Sequence, residues 1–227
     1  MIISHKNRFI YIQNRKVASS SIQAELSQYC GNSDVVTSNG TLNAKNDRGL
    51  WNPLKDIYES RNYISLKKAI SNLLFLRKYE PHMSGRVIMR RIPLITWNSY
   101  YKFCVERNPW DKTLSYYYMK QKNPNFPKMS FDEFLKGYPN LCSDFDKYTS
   151  PDGSLLVDKV IFYENMNEGL IEIFNVLNIP FKERVSFMIN TQHRTDRRSY
   201  QEVYNENQKM IVTRVYKKEI DCFGYKF

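Results

Sequence analysis

Phe9-Ile-Tyr-Ile-Gln13 runs directly into Asn14-Arg-Lys-Val-Ala-Ser-Ser-Ser21 and then Ile22-Gln-Ala-Glu-Leu26, and the reading of this stretch decides the fold. Phe9 to Ile12 is a short apolar run of β-branched and aromatic residues, the pattern of a buried strand. After Ser21 the period changes. Ile22 and Leu26 stand four apart, which predicts a helix, and Gly31 after Cys30 supplies a C-terminal stop. Serines suit the start of that helix, because a short hydroxyl accepts from the unpaired first-turn amides. A strand-to-helix turn gathers backbone N–H groups and the positive helix end at one point. With Lys16 and the hydroxyls of Ser19, Ser20 and Ser21 added, that point suits a phosphate or a sulfate. The residues of the loop alone are equally compatible with a serine-capped helix and an exposed lysine.

A second stretch repeats the plan. Tyr101-Lys-Phe-Cys-Val-Glu106 reads as a buried strand, followed by Arg107-Asn-Pro-Trp-Asp-Lys-Thr-Leu-Ser115. Asn108 is a good N-cap, Pro109 suits the first helical position, and Asp111 is a favourable first-turn carboxylate. Arg107 then ends a strand and Ser115 lies two turns into a helix, where a guanidinium fork and a hydroxyl can grip one phosphate. Strands followed by helices predict an α/β fold whose site lies at the carboxyl ends of the strands.

With 227 residues, 42% apolar and 15% aromatic, the chain can bury one full core. A net charge of +11 points to an anionic partner, be it nucleotide, glycan, nucleic acid or membrane surface. No apolar run is long enough to span a bilayer, and Met1 to Lys6 is too short and polar for a signal peptide. Cys30, Cys104, Cys142 and Cys222 are scattered without a CxxC pair, which suits reduced thiols in a cytosolic protein and no metal site.

From Gly31 to Trp51 the sequence turns polar, with Asn, Asp, Ser, Thr and Gly throughout, and reads as a long surface loop. Ile57 to Lys78 has helical apolar spacing, so the expected organisation is a single domain over 1–227 with a polar loop and helical insertion at about 31–80. His82 follows Pro81, on a loop or where a new helix begins. Towards the C-terminus, Asp152 to Met166 holds a third strand. A helix through Leu170 and Leu177 ends at Asn178-Ile-Pro180, and a basic loop spans His193 to Tyr200. In the last helix Met210, Ile211 and Val215 are expected to face inward.

The Lys-x-x-Ser-Ser-Ser turn resembles the 5′-phosphosulfate loop of the sulfotransferases, which use 3′-phosphoadenosine 5′-phosphosulfate (PAPS) as donor. It is not a Walker A loop, since it lacks glycine and its lysine comes first. Phe103-x-x-x-Arg107-Asn-Pro-Trp-Asp-x-x-x-Ser115-Tyr-Tyr resembles the 3′-phosphate element of the same family. Phe162-Tyr-Glu164-Asn and the Phe223-Gly-Tyr225 ending are similar to elements of its carbohydrate-acting members. The resemblance implies a P-loop-like, nucleoside-kinase-like parallel sheet flanked by helices, and a soluble bacterial or viral member. It implies that Lys16, Ala18, Ser19, Ser20 and Ser21 hold the 5′-phosphosulfate and that Arg107 and Ser115 hold the 3′-phosphate. Arg198, in the basic loop, would complete the nucleotide site. Lys16 would neutralise charge growing on the departing phosphate, leaving PAP (3′-phosphoadenosine 5′-phosphate) as product, and His82 would take the acceptor's proton. The acceptor would be a hydroxyl, above all of a sugar, with no metal and no specific nucleic acid.

Two departures stand out. Glu106 precedes Arg107 where the family often has an apolar or small residue, and Glu80 competes with His82 as the base. A non-enzymatic glycan- or nucleic-acid-binding protein and a P-loop-type kinase are the rival readings.

Overall fold

The structure, a computed structural model, describes residues 1–39, 42–49, 70, 71, 74, 76–138, 140–180, 196 and 198–227. Most of the predicted helical insertion and His193 lie outside the described residues.

The described strands are β1 (Ile2–Ser4), β2 (Phe9–Ile12), β3 (Val35–Val36), β4 (Tyr101–Glu106) and β5 (Lys159–Phe162). They form one five-stranded sheet in the order β3-β1-β2-β4-β5. β2, β4 and β5 are parallel, with Ile12 opposite Cys104 and Glu106 opposite Phe162. These are the three strands expected from sequence. The sheet is not wholly parallel, however: β1 runs antiparallel to both β2 and β3, and β3 is the edge strand on that side. β3 falls inside the stretch expected to be loop. The antiparallel edge is possible because the short turn from Ser4 to Phe9 is a hairpin connection, whereas parallel neighbours need a crossover.

The described helices begin with α1 (Ser19–Ser27), α2 (Gly85–Arg91), α3 (Leu94–Ser99) and α4 (Pro109–Lys122). Then come α5 (Phe131–Gly137), α6 (Phe145–Tyr148), α7 (Met166–Val176), α8 (Tyr200–Val203), α9 (Glu206–Val215) and α10 (Lys217–Phe223). Both faces of the central strands are covered, which is why their sequences are continuous apolar runs rather than alternating ones. Phe9, Tyr11, Phe103 and Val105 pack with Ile22 and Leu26 of α1 and with Leu170, Ile173 and Phe174 of α7. Ile10, Ile12 and Cys104 face the other way, towards Ile88, Trp97, Phe145 and Tyr148. A third cluster joins Trp110, Phe134, Val212 and Tyr216 beside the sheet. Helix α7 lies so close to β5 that a Cβ on Gly169 would stand 2.4 Å from the Ile161 side chain. Only glycine allows that approach.

Three local expectations are corrected. Helix α1 stops at Ser27, and Gly31 uses its N–H on Asp34 rather than ending the helix. Its N-cap is Ala18, left-handed at φ 54, with no side-chain cap, so Ser19 to Ser21 lie within the first turn instead of preceding it. In α9 the buried residues are Gln208 and Val212, and Ile211 and Val215 pack partly buried as expected, but Met210 is 57% exposed. Among the described residues no helix is long and apolar enough to cross a membrane.

Candidate active site

The carboxyl ends of β2 and β4 are neighbours, and each delivers one of the two motifs. On β4 the local signals act as expected. The Asn108 side chain accepts from the amides of Trp110 (3.1 Å) and Asp111 (3.3 Å), and Pro109 opens α4. The Asn108 amide donates to Glu164 at 2.7 Å, so the Glu-Asn turn after β5 braces the end of β4.

Arg107, just past that end, lies across the loop of the other strand. Its Nη1 donates to the Lys16 carbonyl at 3.0 Å, and its guanidinium stacks 4.1 Å from the centre of the Tyr163 ring. Its Nε and Nη2 donate to Asp111 at 2.8 and 2.6 Å. Asp111 thus stands four residues from both Arg107, just before the helix, and half-buried Ser115, one turn further along it. The sequence placed Asp111 only as a helix-stabilising carboxylate. Its i,i+4 spacing from Arg107 was the signal for the ion pair.

Between β2 and α1, Lys16 (φ 61) and Ala18 (φ 54) are both left-handed. Left-handed residues in a loop turn successive amides to one side, the geometry of anion-binding nests. Lys16 is half-buried, with no carboxylate paired to it among the described residues. Burial, and after it the Arg107 charge, bring its amine down from the usual lysine value to about 8. A buried cation beside a second cation favours an anion between them.

His82 is left-handed at φ 59, in the turn before α2. Its Nδ1 lies 3.0 Å from the Gln13 carbonyl, immediately after β2. A carbonyl can only accept, so Nδ1 carries the proton and Nε2 holds the free lone pair. Burial first, then the Lys147 charge, lower the imidazole to about 4, against the Gln13 hydrogen bond that supports the charged form. His82 is therefore neutral at pH 7. Glu80 lines a cleft of about 590 Å³ with Asn46, Asp47, Arg48 and Arg77.

The sequence-predicted residues do not all meet. Lys16, Ala18, Arg107 and His82 gather where β2 and β4 end, with Ser19 to Ser21 in the following turn. Arg198 is exposed and paired with Asp196 at 2.6 Å. Asp196 also accepts from Tyr118 at 3.2 Å, which places Asp196 beside α4, one turn beyond Ser115.

Glu106 does not face the anion site. It is fully buried, bonded to Lys112 (2.7 Å) and to the Tyr148 hydroxyl (2.8 Å). The departure at Glu106 therefore puts no carboxylate against a bound phosphate. Lys112 also lies 3.5 Å from Asp144, a second buried carboxylate paired with Arg15 and Lys147, both at 2.8 Å. Burial alone would raise the Asp144 carboxyl, but Lys112, Lys147 and Arg15 together hold it well below the usual range. Sequence reasoning missed this cluster, of which only the Asp144–Lys147 pair has a local (i,i+3) spacing.

No family model matches the sequence. An uncharacterized protein of Archaeoglobus fulgidus is 35% identical over 115 residues, which make up 48% of this chain and 92% of that protein. The chain belongs to the same family as that archaeal protein. Among solved structures it is similar to mouse sulfotransferase SULT7A1 complexed with PAP, at a TM-score of 0.48 and 14% identity. That likeness covers 96% of this chain and 86% of the mouse chain.

Proposed function

We propose that the protein transfers a sulfuryl group from PAPS to a hydroxyl, with a carbohydrate as the acceptor. The observation that carries this reading is the meeting of the two phosphate motifs, with Arg107 bonded to the Lys16 carbonyl. Lys16 and the amides of its loop take the 5′ end of the donor, where Ser19, Ser20 and Ser21 add hydroxyls. Arg107 reaches the 3′-phosphate with the guanidinium hydrogens that Asp111 and Lys16 leave open, since the group has five donors. Ser115 supports it from two turns further on, and Arg198, beside Asp196, closes the nucleotide site.

The donor supplies an activated sulfur–oxygen bond, and the protein supplies position and charge. Negative charge grows on the oxygen that leaves with the phosphate, and a protonated Lys16 stabilises it most in the transition state. By analogy with phosphoryl transfer, in-line placement of donor and acceptor accounts for most of the remaining acceleration. His82, neutral with its Nε2 lone pair free, accepts the hydroxyl proton. The basic surface and abundant tyrosines favour an acidic glycan, and Glu80 is retained as the competing base.

Calorimetric titration of the full chain with PAP, ATP and a short oligonucleotide tests the reading. PAP binding well ahead of ATP is expected. Equal affinity for PAP and ATP, or preference for the oligonucleotide, would overturn it in favour of a P-loop-type kinase or a nucleic-acid-binding protein.

A further inference from the structure

Asp144 holds the position before α6 that an aspartate normally uses to cap a helix, yet its carboxylate makes no cap bond. Both oxygens are used instead by side chains and by a distant backbone amide. Oδ2 accepts from the Arg15 amide at 2.7 Å and lies 3.5 Å from Lys112 Nζ. Oδ1 accepts from Arg15 Nε and faces Lys147 Nζ, both at 2.8 Å. Arg15 Nη2 also donates to the Ser143 carbonyl at 2.8 Å, so the residue before Lys16 is clamped by two successive residues.

The same segment reaches the other two parts of the site. A Cβ on Gly85, three residues after His82, would stand 3.3 Å from the Lys147 carbonyl, so α6 rests on the first turn of α2. Lys112 passes the connection to Glu106, whose Oε1 also accepts the Arg107 amide at 3.0 Å. Tyr148 of α6 donates to the other oxygen of Glu106. One carboxylate thus has partners beside Lys16, beneath Arg107 and against the His82 segment. It is no proton acceptor itself, being saturated with donors and 0% exposed at its side chain.

We infer that Asp144 is a positioning residue that holds the Lys16 loop and the His82 segment in one frame. Its effect on turnover rests on the sulfuryl-transfer reading, whereas its effect on geometry does not. A frame of this kind acts on the transition state more than on ground-state binding, because small misplacements of reacting groups cost rate steeply.

The test is Asp144→Asn in the full chain, which keeps the side chain's size and removes its charge. In the unliganded protein, backbone amide resonances of both Arg15–Ala18 and His82–Gly85 should move together, while those of α9 stay in place. With PAPS and an accepted sugar, kcat should fall about 10²-fold and the donor KM change by less than about threefold. Pairing the change with Lys147→Met restores the net charge of the cluster. Thermal stability should then recover while kcat stays low. Recovery of kcat along with stability would make Asp144 merely structural, and unchanged resonances in the His82 segment would equally overturn the inference. Should Asp144→Asn fail to fold, Arg15→Met removes one arm of the clamp from a half-exposed position, with the same readouts expected. If the wild-type chain binds no PAP, the sulfuryl-transfer reading fails, and the resonances still decide the role of Asp144.

Discussion

Arg107 donates to the backbone carbonyl of Lys16 at 3.0 Å, although 91 residues separate them in the chain. The parallel pairing of β2 with β4 makes the contact, since both residues follow strands that end side by side. A guanidinium held this way fixes the loop and brings two cations together, and that proximity is part of what depresses Lys16.

Arg107→Ala should weaken PAP by about 10-fold or more, the loss expected for a charge-assisted pair. ADP, which lacks the 3′-phosphate, should lose far less. Isothermal titration of both nucleotides measures the difference. Equal losses would show that Arg107 acts on the loop and not on the 3′-phosphate.

Lys16 is depressed to about 8 when no anion is bound. An anion beside it favours the charged form and raises that value, so binding must take up protons. At pH 8 PAP should bind with uptake of up to about half a proton at this residue, measurable by calorimetry in buffers of different ionisation enthalpy. Lys16→Met should abolish the uptake and lower kcat more than it weakens PAP. Uptake that persists in the variant would assign it to another group.

His82 sets the acid limit. Its imidazole is lowered to about 4 by burial and then by Lys147, with the Met1 amine adding to the effect and Gln13 and Asp144 opposing it. A lowered value keeps the base neutral as pH falls, so the limb in kcat should lie near 4 instead of near the ordinary histidine value of about 6.5. His82→Asn tolerates the left-handed backbone and should cut kcat by about 10²-fold, with PAP affinity nearly kept. Glu80→Gln is the control, and loss of activity there with His82→Asn unaffected would move the base to the carboxylate. The unfolded chain binds the His82 proton from about 6.5 downward and the folded chain only near 4. Stability should therefore decline as pH falls through that window.

Lys112→Met leaves Glu106 and Asp144 without their shared buried cation. Breaking a buried pair by removing one partner costs about 3–5 kcal/mol, which denaturant unfolding should resolve. Lys217→Met removes an exposed partner of Asp221 and should change little by the same measurement.

The sequence by itself determined the two strand–turn–helix units. Phe9–Ile12 and Phe103–Val105 are apolar runs of the kind a doubly covered strand accommodates, and Asn108 with Pro109 caps a helix through bonds spanning three residues. Such signals are local, so they are written in adjacent positions. The same holds for Arg107 at a strand end, Asn178 in a left-handed turn after α7, and the candidacy of Lys16 and His82. Tertiary structure alone decided the rest. β1 and β3 have three and two residues, too few to show a period, and exist through pairing with each other and with β2. Ala18 became the N-cap because the loop turns left-handed there, a backbone state that serine placement did not announce. Glu106 stands beside Arg107 in sequence yet faces away, drawn to Lys112 and Tyr148 in the core. Asp144 carries no local sign of its tie to Arg15, 129 residues away, which only the folded chain makes. The charge states of Lys16, His82 and Asp144 follow from desolvation and from cations brought close in space, quantities set by the packed chain and not by spacing along it.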